Sequence, residues 1–192
     1  MSCALSFFYA FIMNKKIDQI KQLYLNQGMA KYGENVTQTE HAVQCWYCAK
    51  NENASLNLRV AAFLHDIGHL LYAELEMKSN TDFKHEELGA QFLHNLDFNN
   101  EIVELILSHV WAKRFLVTQN PDYLKLLSQA SIDSFHAQGG YLTSDEMHYY
   151  KQHVNLKNCL LLRKWDDFGK DENASNEIPE EIWTDILECL EQ

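Results

Sequence analysis

The sequence predicts an all-α protein, a compact helical bundle. Three observations carry that prediction. Only two prolines and seven glycines punctuate 192 residues. Alternating strand-like runs are scarce, and apolar residues recur at three- and four-residue spacings along most of the chain.

Ile17, Ile20, Leu23 and Tyr24 mark a first helix, whose polar pattern begins just after Met13 with Asn14-Lys15-Lys16. The apolar residues 1–13 form either a short packed extension or a stretch ahead of a true start at Met13, the reading preferred here. They are too short to span a membrane, and no basic residue precedes them as in a signal peptide. Thr37-Gln38-Thr39-Glu40 is a capping box, which predicts a second helix from about residue 38 with His41 in its first turns. Leu58, Ala61, Ala62, Leu64, Ile67 and Leu71 predict a largely buried third helix over 57–73. A polar loop over 76–82 leads to a fourth helix starting near Lys84. Ile102, Val103, Leu105, Ile106, His109 and Val110 line a fifth. Asn120-Pro121 opens a sixth, with proline at the first helical position. Thr143-Ser144-Asp145-Glu146 is a second capping box. Residues 156–168 form a further helix, and Ile178-Pro179 opens the last. No repeat, low-complexity tract or linker divides the chain, so residues 14–192 read as one domain.

The net charge of −11 argues against nucleic acid and anionic membrane surfaces as general partners. It leaves room for a small anion held by a local cluster of basic groups. The five cysteines form no paired framework, which points to a reducing, cytoplasmic compartment. Cys45-Trp46-Tyr47-Cys48 has redox-motif spacing but lacks a preceding strand and a second pair for zinc, so these read as small packed thiols.

The most informative feature is His65-Asp66 within Ala61-Ala62-Phe63-Leu64-His65-Asp66-Ile67-Gly68-His69. A buried charge is costly unless it is paired or bound to a metal. Imidazoles with carboxylates suit iron, manganese and zinc. Further candidate ligands are His41, His69, His85, His109 and Asp166. Taken singly, a helical histidine is more often a satisfied core residue or an exposed one.

The order His41, His65-Asp66, His85, His109, Asp166 resembles the HD-domain superfamily of helical metalloproteins. That resemblance implies a helical bundle of the HD-domain type. It implies that His41, His65, Asp66 and Asp166 hold one metal and Asp66, His85 and His109 a second, with Asp66 bridging.

The chain more closely resembles the small HD-domain oxygenases that cleave organophosphonates such as 2-amino-1-hydroxyethylphosphonate. The matching segments are Gly33-Glu34, Gln38 to His41, Ala62 to His69, His85-Glu86 through Gly89-Ala90, and His109 to Val117. They continue with Ala130-Ser131, Gln138-Gly139-Gly140 and Arg163-Lys164-Trp165-Asp166, spanning about residues 30–170. The resemblance implies a mixed-valent Fe(II)/Fe(III) pair, O2 as co-substrate and a small organophosphonate as substrate. It gives Glu34, His69, Lys113, Ser131 and Arg163 as substrate contacts, with Ser134 a weaker one. Asp66, His69 and Lys113 are the expected catalytic residues. Tyr32 stands near a family tyrosine that ligates the first metal, one residue closer to Glu34 than the family spacing.

Helical geometry supports the match. Lys113 lies four residues after His109, Arg163 three before Asp166 and His69 four after His65, so each shares a face with a ligand. Converging cations are what a phosphonate dianion needs in an acidic protein. The ordinary readings are a solvated lysine at 113, a surface salt bridge at Arg163, and for Ser131 a helix C-terminal residue bonding its own backbone. Gln138-Gly139-Gly140 reads as a tight loop approaching the site. The rival function is a dinuclear HD phosphohydrolase acting on a nucleotide or phosphoester with the same six ligands.

Overall fold

A computed structural model describes residues 3–31, 35–74 and 84–192, with side chains of residues 3–11 and Glu74 left aside. Among the described residues there are ten α-helices, one 3-10 helix and no strand beyond an isolated bridge between Lys31 and Thr37. The helices are α1 (Cys3–Gln27), α2 (Gln38–Asn51), α3 (Leu56–Leu64), α4 (Ile67–Glu74), α5 (His85–Asn95) and α6 (Asn100–Gln119). After the 3-10 turn Pro121–Leu126 come α7 (Gln129–Ala137), α8 (Ser144–Lys151), α9 (Leu156–Phe168) and α10 (Glu180–Leu190).

The all-α expectation holds, and both capping boxes form. Thr37 and Thr143 each accept from the backbone N–H of a glutamate three residues on, whose carboxylate returns the bond. Three expectations needed correction. The helix expected over 57–73 is two helices, α3 and α4, broken at His65-Asp66. The sixth helix is a six-residue 3-10 turn that Pro121 starts and Leu127 closes; α7, which the sequence reading missed, then starts from its own cap, Ser128. α1 runs unbroken through Met13 from Cys3, since no glycine or proline stops the apolar run. The expected loop over 76–82 lies outside the described residues.

α3 sits at the centre, packed by α2, α6, α9 and α10. It is apolar around most of its circumference, with Leu58 and Val60 to Leu64 all buried. Trp46, Phe63, Leu93, Leu105, Trp165 and Ile186 fill the space between these helices. α10 is fixed by Asp185, which accepts from Trp46 Nε1 at 2.9 Å and from Arg59 Nε and Nη2 at 2.9 and 2.8 Å. A small separate cluster of Val117, Leu127 and Phe135 seats α7 against the end of α6.

The break between α3 and α4 aims the His-Asp pair inward. Leu64 closes α3, His65 keeps helical angles, and the Asp66 carbonyl accepts from His69 N–H at 2.9 Å to restart the chain as α4. Gly68 lets this turn touch α5: a Cβ there would lie 1.9 Å from the His85 carbonyl oxygen. The start of α5 is thereby pressed against Asp66.

Candidate metal centre

Four histidines, His41, His65, His85 and His109, converge, and the backbone sets the ring orientation of three. His41 directs Nδ1 to the Gly169 carbonyl at 2.8 Å. His65 and His109 direct Nδ1 to carbonyls one turn back, Ala62 at 3.0 Å and Ile106 at 2.6 Å. A carbonyl only accepts, so in these three rings Nδ1 carries a proton and Nε2 is the atom turned inward. His41 Nε2 faces His65 Nε2 at 3.2 Å, and His109 Nε2 faces His85 Nε2 at 2.8 Å. Nitrogen lone pairs so opposed repel unless a cation lies between them.

The carboxylates complete two sets. Asp66 Oδ2 lies 3.7 Å from His41 Nε2 and 3.5 Å from His65 Nε2, while Asp166 Oδ1 lies 3.3 and 3.8 Å from the same nitrogens. The other oxygen of Asp66, Oδ1, lies 3.6 Å from His85 Nε2 and 3.5 Å from His109 Nε2. One carboxylate thus serves both sets, an oxygen to each. Ligands held at about 2.0–2.2 Å from one ion stand roughly 3 Å or a little more from each other, which is this spacing. The donor atoms fit metal ions.

The electrostatics agree. Burial opposes charge on His65, but Asp66 and Asp166 outweigh it and push its pKa up to about 9. Burial raises the Asp66 carboxyl, yet His65, His69 and His85 hold it well below the usual range. Burial likewise opposes Asp166, and Arg163 and the histidines bring it down. His109 is held well below its ordinary value by burial and by His85. The cluster retains two buried carboxylates as anions and demands positive charge between them.

Cys45 also approaches, its Sγ 3.8 Å from His41 Nε2. Its S–H donates to the Trp165 carbonyl at 3.4 Å, and burial together with Asp166 raises its pKa well above the ordinary value. It is a packed thiol, as the sequence reading has it. Gly169 admits this packing: a Cβ there would lie 2.7 Å from Cys45 Sγ and 3.3 Å from His41 Nδ1.

Comparison with known proteins accords with this geometry. The HD-domain family model matches residues 39–137, which include the His-Asp pair and His41, His85 and His109. The chain is 37% identical over 180 residues to the hydroxymethylphosphonate dioxygenase of Gimesia maris, covering 92% of this chain and 89% of that one. It is 34% identical over 167 residues to the [1-hydroxy-2-(trimethylamino)ethyl]phosphonate dioxygenase (glycine-betaine-forming) of Leisingera caerulea, covering 85% and 84%. The chain belongs to the HD-domain family and is one of its oxygenases. No helix among the described residues is long and apolar enough to cross a membrane.

In this HD-domain oxygenase a cavity opens beside the metal ligands. Its walls include His41, Asp66, His85, His109 and Asp166 from the centre, and Lys113, Ser131, Ser134, Gln138 and Arg163 around it. Lys113 is 3% exposed, so it is not the solvated lysine of the ordinary reading; its Nζ donates to Ser134 Oγ at 2.6 Å. The Arg163 salt bridge is buried rather than on the surface. Its guanidinium meets Asp166 Oδ2 at 2.5 Å and also Asp167, to which the Tyr123 hydroxyl donates. Ser131 is not at a helix C-terminus but in the first turn of α7, where its N–H donates to the capping Ser128 Oγ at 3.2 Å.

His69 is placed differently. Its ring stacks on His85 with centroids 3.9 Å apart, within reach of Asp66, and it does not line the cavity. Gly139 and Gly140 take φ values of 103° and 65°, so the loop needs glycine as expected, and Gln138 reaches the cavity wall. Tyr32 and Glu34 lie outside the described residues. The sequence reading missed Lys170, which lines the cavity and donates to Ser131 Oγ at 2.9 Å. Its signal was the four-residue offset from Asp166, the same offset that flagged Lys113 after His109; the end of α9 at Phe168 hid it.

Proposed function

We propose that this chain uses O2 to break the C–P bond of a small 1-hydroxyphosphonate, releasing phosphate and a carboxylate. The observation that carries the reading is the division of Asp66 between two histidine sets beside a cavity walled by Lys113, Arg163 and α7 serines. The two relatives act, by their names, on phosphonates with a hydroxyl on the carbon next to phosphorus, which is the common unit proposed here. The metals are an iron pair in the Fe(II)/Fe(III) state, held by His41, His65, Asp66 and Asp166 on one side and Asp66, His85 and His109 on the other. Such a pair supplies the redox chemistry that O2 activation requires and that no side chain provides.

The residues of the chain do the rest. Asp66 fixes the separation of the two ions. Arg163 braces Asp166 and keeps its carboxylate charged. Lys113 and Ser131 hold the phosphonate oxygens, and His69 supports His85 by stacking on its ring. Orientation of this kind aims the substrate C–H bond at one place and excludes the rest. The reaction balances as R–CH(OH)–PO3(2−) + O2 giving R–COO(−), HPO4(2−) and H(+), so one O2 is consumed per phosphate formed. Glu34 is the expected contact at the amine end of the substrate, where 2-amino-1-hydroxyethylphosphonate would yield glycine.

Electron paramagnetic resonance of the iron-loaded protein tests this. A mixed-valent signal that changes on adding hydroxymethylphosphonate or its 2-amino or 2-trimethylamino homologues is expected, with phosphate released from the one that fits. Full phosphate release from a phosphoester by the manganese form, with no such signal, would favour the hydrolase.

A further inference from the structure

α7 borders the cavity with Ser131 and Ser134, spaced three apart and therefore on one side of the helix, and Ser128 caps its start. Two ammonium groups from different elements meet that edge. Lys113 of α6 donates to Ser134 Oγ at 2.6 Å. Lys170, just beyond α9, donates to Ser131 Oγ at 2.9 Å and Ser128 Oγ at 3.2 Å. Both lysines line the cavity. Arg163, the remaining cation of the wall, is engaged by two carboxylates, Asp166 and Asp167.

We propose that Lys170 is a second phosphonate-binding lysine, which with Lys113 grips the dianion against the serine edge of α7. The assignment rests on the phosphonate reading above. Two ammonium groups match the two charges of a phosphonate, and charge-assisted hydrogen bonds are the strong ones. The serines then differ in role. Ser134 donates its hydroxyl proton to the Ser131 carbonyl at 3.1 Å. Ser131 accepts from Lys170, which leaves its own proton to donate to a phosphonate oxygen. Lys170 thus binds the anion and also orients the Ser131 hydroxyl toward it.

The test is calorimetric titration of the metal-loaded protein with inorganic phosphate and with hydroxymethylphosphonate. K170M should weaken both by about 10- to 100-fold, with metal content as in wild type, whereas K170R should stay within about threefold. S131A should lose more affinity than S134A. K170Q serves as a second charge-removing variant should K170M fail to fold. Wild-type affinity in K170M or K170Q overturns the Lys170 assignment alone. A wild-type protein that binds neither anion contradicts the phosphonate reading, and this assignment with it.

Discussion

Asp66 is the residue on which the site depends, because each of its oxygens faces a different pair of imidazoles. Asp66→Ala removes a ligand from both sets, and the protein should retain neither ion; two irons per chain by elemental analysis would refute the bridging role. Lys113→Ala removes an anion contact and no ligand. It should raise the KM for the phosphonate about 10- to 100-fold, the usual worth of a hydrogen bond to a charged group, and an unchanged KM would count against the pocket. At this scale the sequence was most informative. His65-Asp66 announced a buried charge, and one-turn offsets brought Lys113 to the cavity and Arg163 to Asp166. His69 stands beside Asp66 and stacks on His85 rather than lining the cavity.

Among the elements, the helix periodicities and capping boxes were legible because they depend on neighbours three and four residues away. The α3–α4 break was not. Its apolar spacing runs through His65-Asp66 uninterrupted, and only the contact of Gly68 with the His85 carbonyl shows why the chain turns. The position of α9 was legible, but the importance of its end was not, since Gly169 acts through residues far away in sequence. Gly169→Ala would place a methyl 2.7 Å from Cys45 Sγ and 3.3 Å from His41 Nδ1, an overpacking that costs about 1–3 kcal/mol. The prediction is selective loss of the metal held by His41, seen as a metal content nearer one than two, with partial recovery on adding Cys45→Ala. Equal occupancy of both positions would show that His41 tolerates the shift. Thr37→Ala tests the cap that starts α2 just ahead of His41: about 1 kcal/mol of stability, or roughly 2–4 °C in Tm, should be lost.

For the whole molecule, the metals act as a central staple. Their ligands come from α2, the α3–α4 junction, α5, α6 and α9, so the site ties together helices that lie far apart in sequence. Removing the ions leaves buried carboxylates facing one another without their counter-charge. Chelation should lower Tm by about 10 °C, as expected when ligand at about a thousand times its Kd is withdrawn, and re-addition of Fe(II) should restore it; a Tm indifferent to chelation would mean that the bundle does not need its ions.

The most direct test of the central claim is parallel recording of O2 uptake and phosphate release by the iron-loaded protein given hydroxymethylphosphonate and its 2-substituted homologues. One O2 should be consumed for each phosphate formed from the preferred substrate, and release should stop under argon. Phosphate that continues to appear at the same rate without O2 would contradict the oxygenase account and assign the same ligands to hydrolysis.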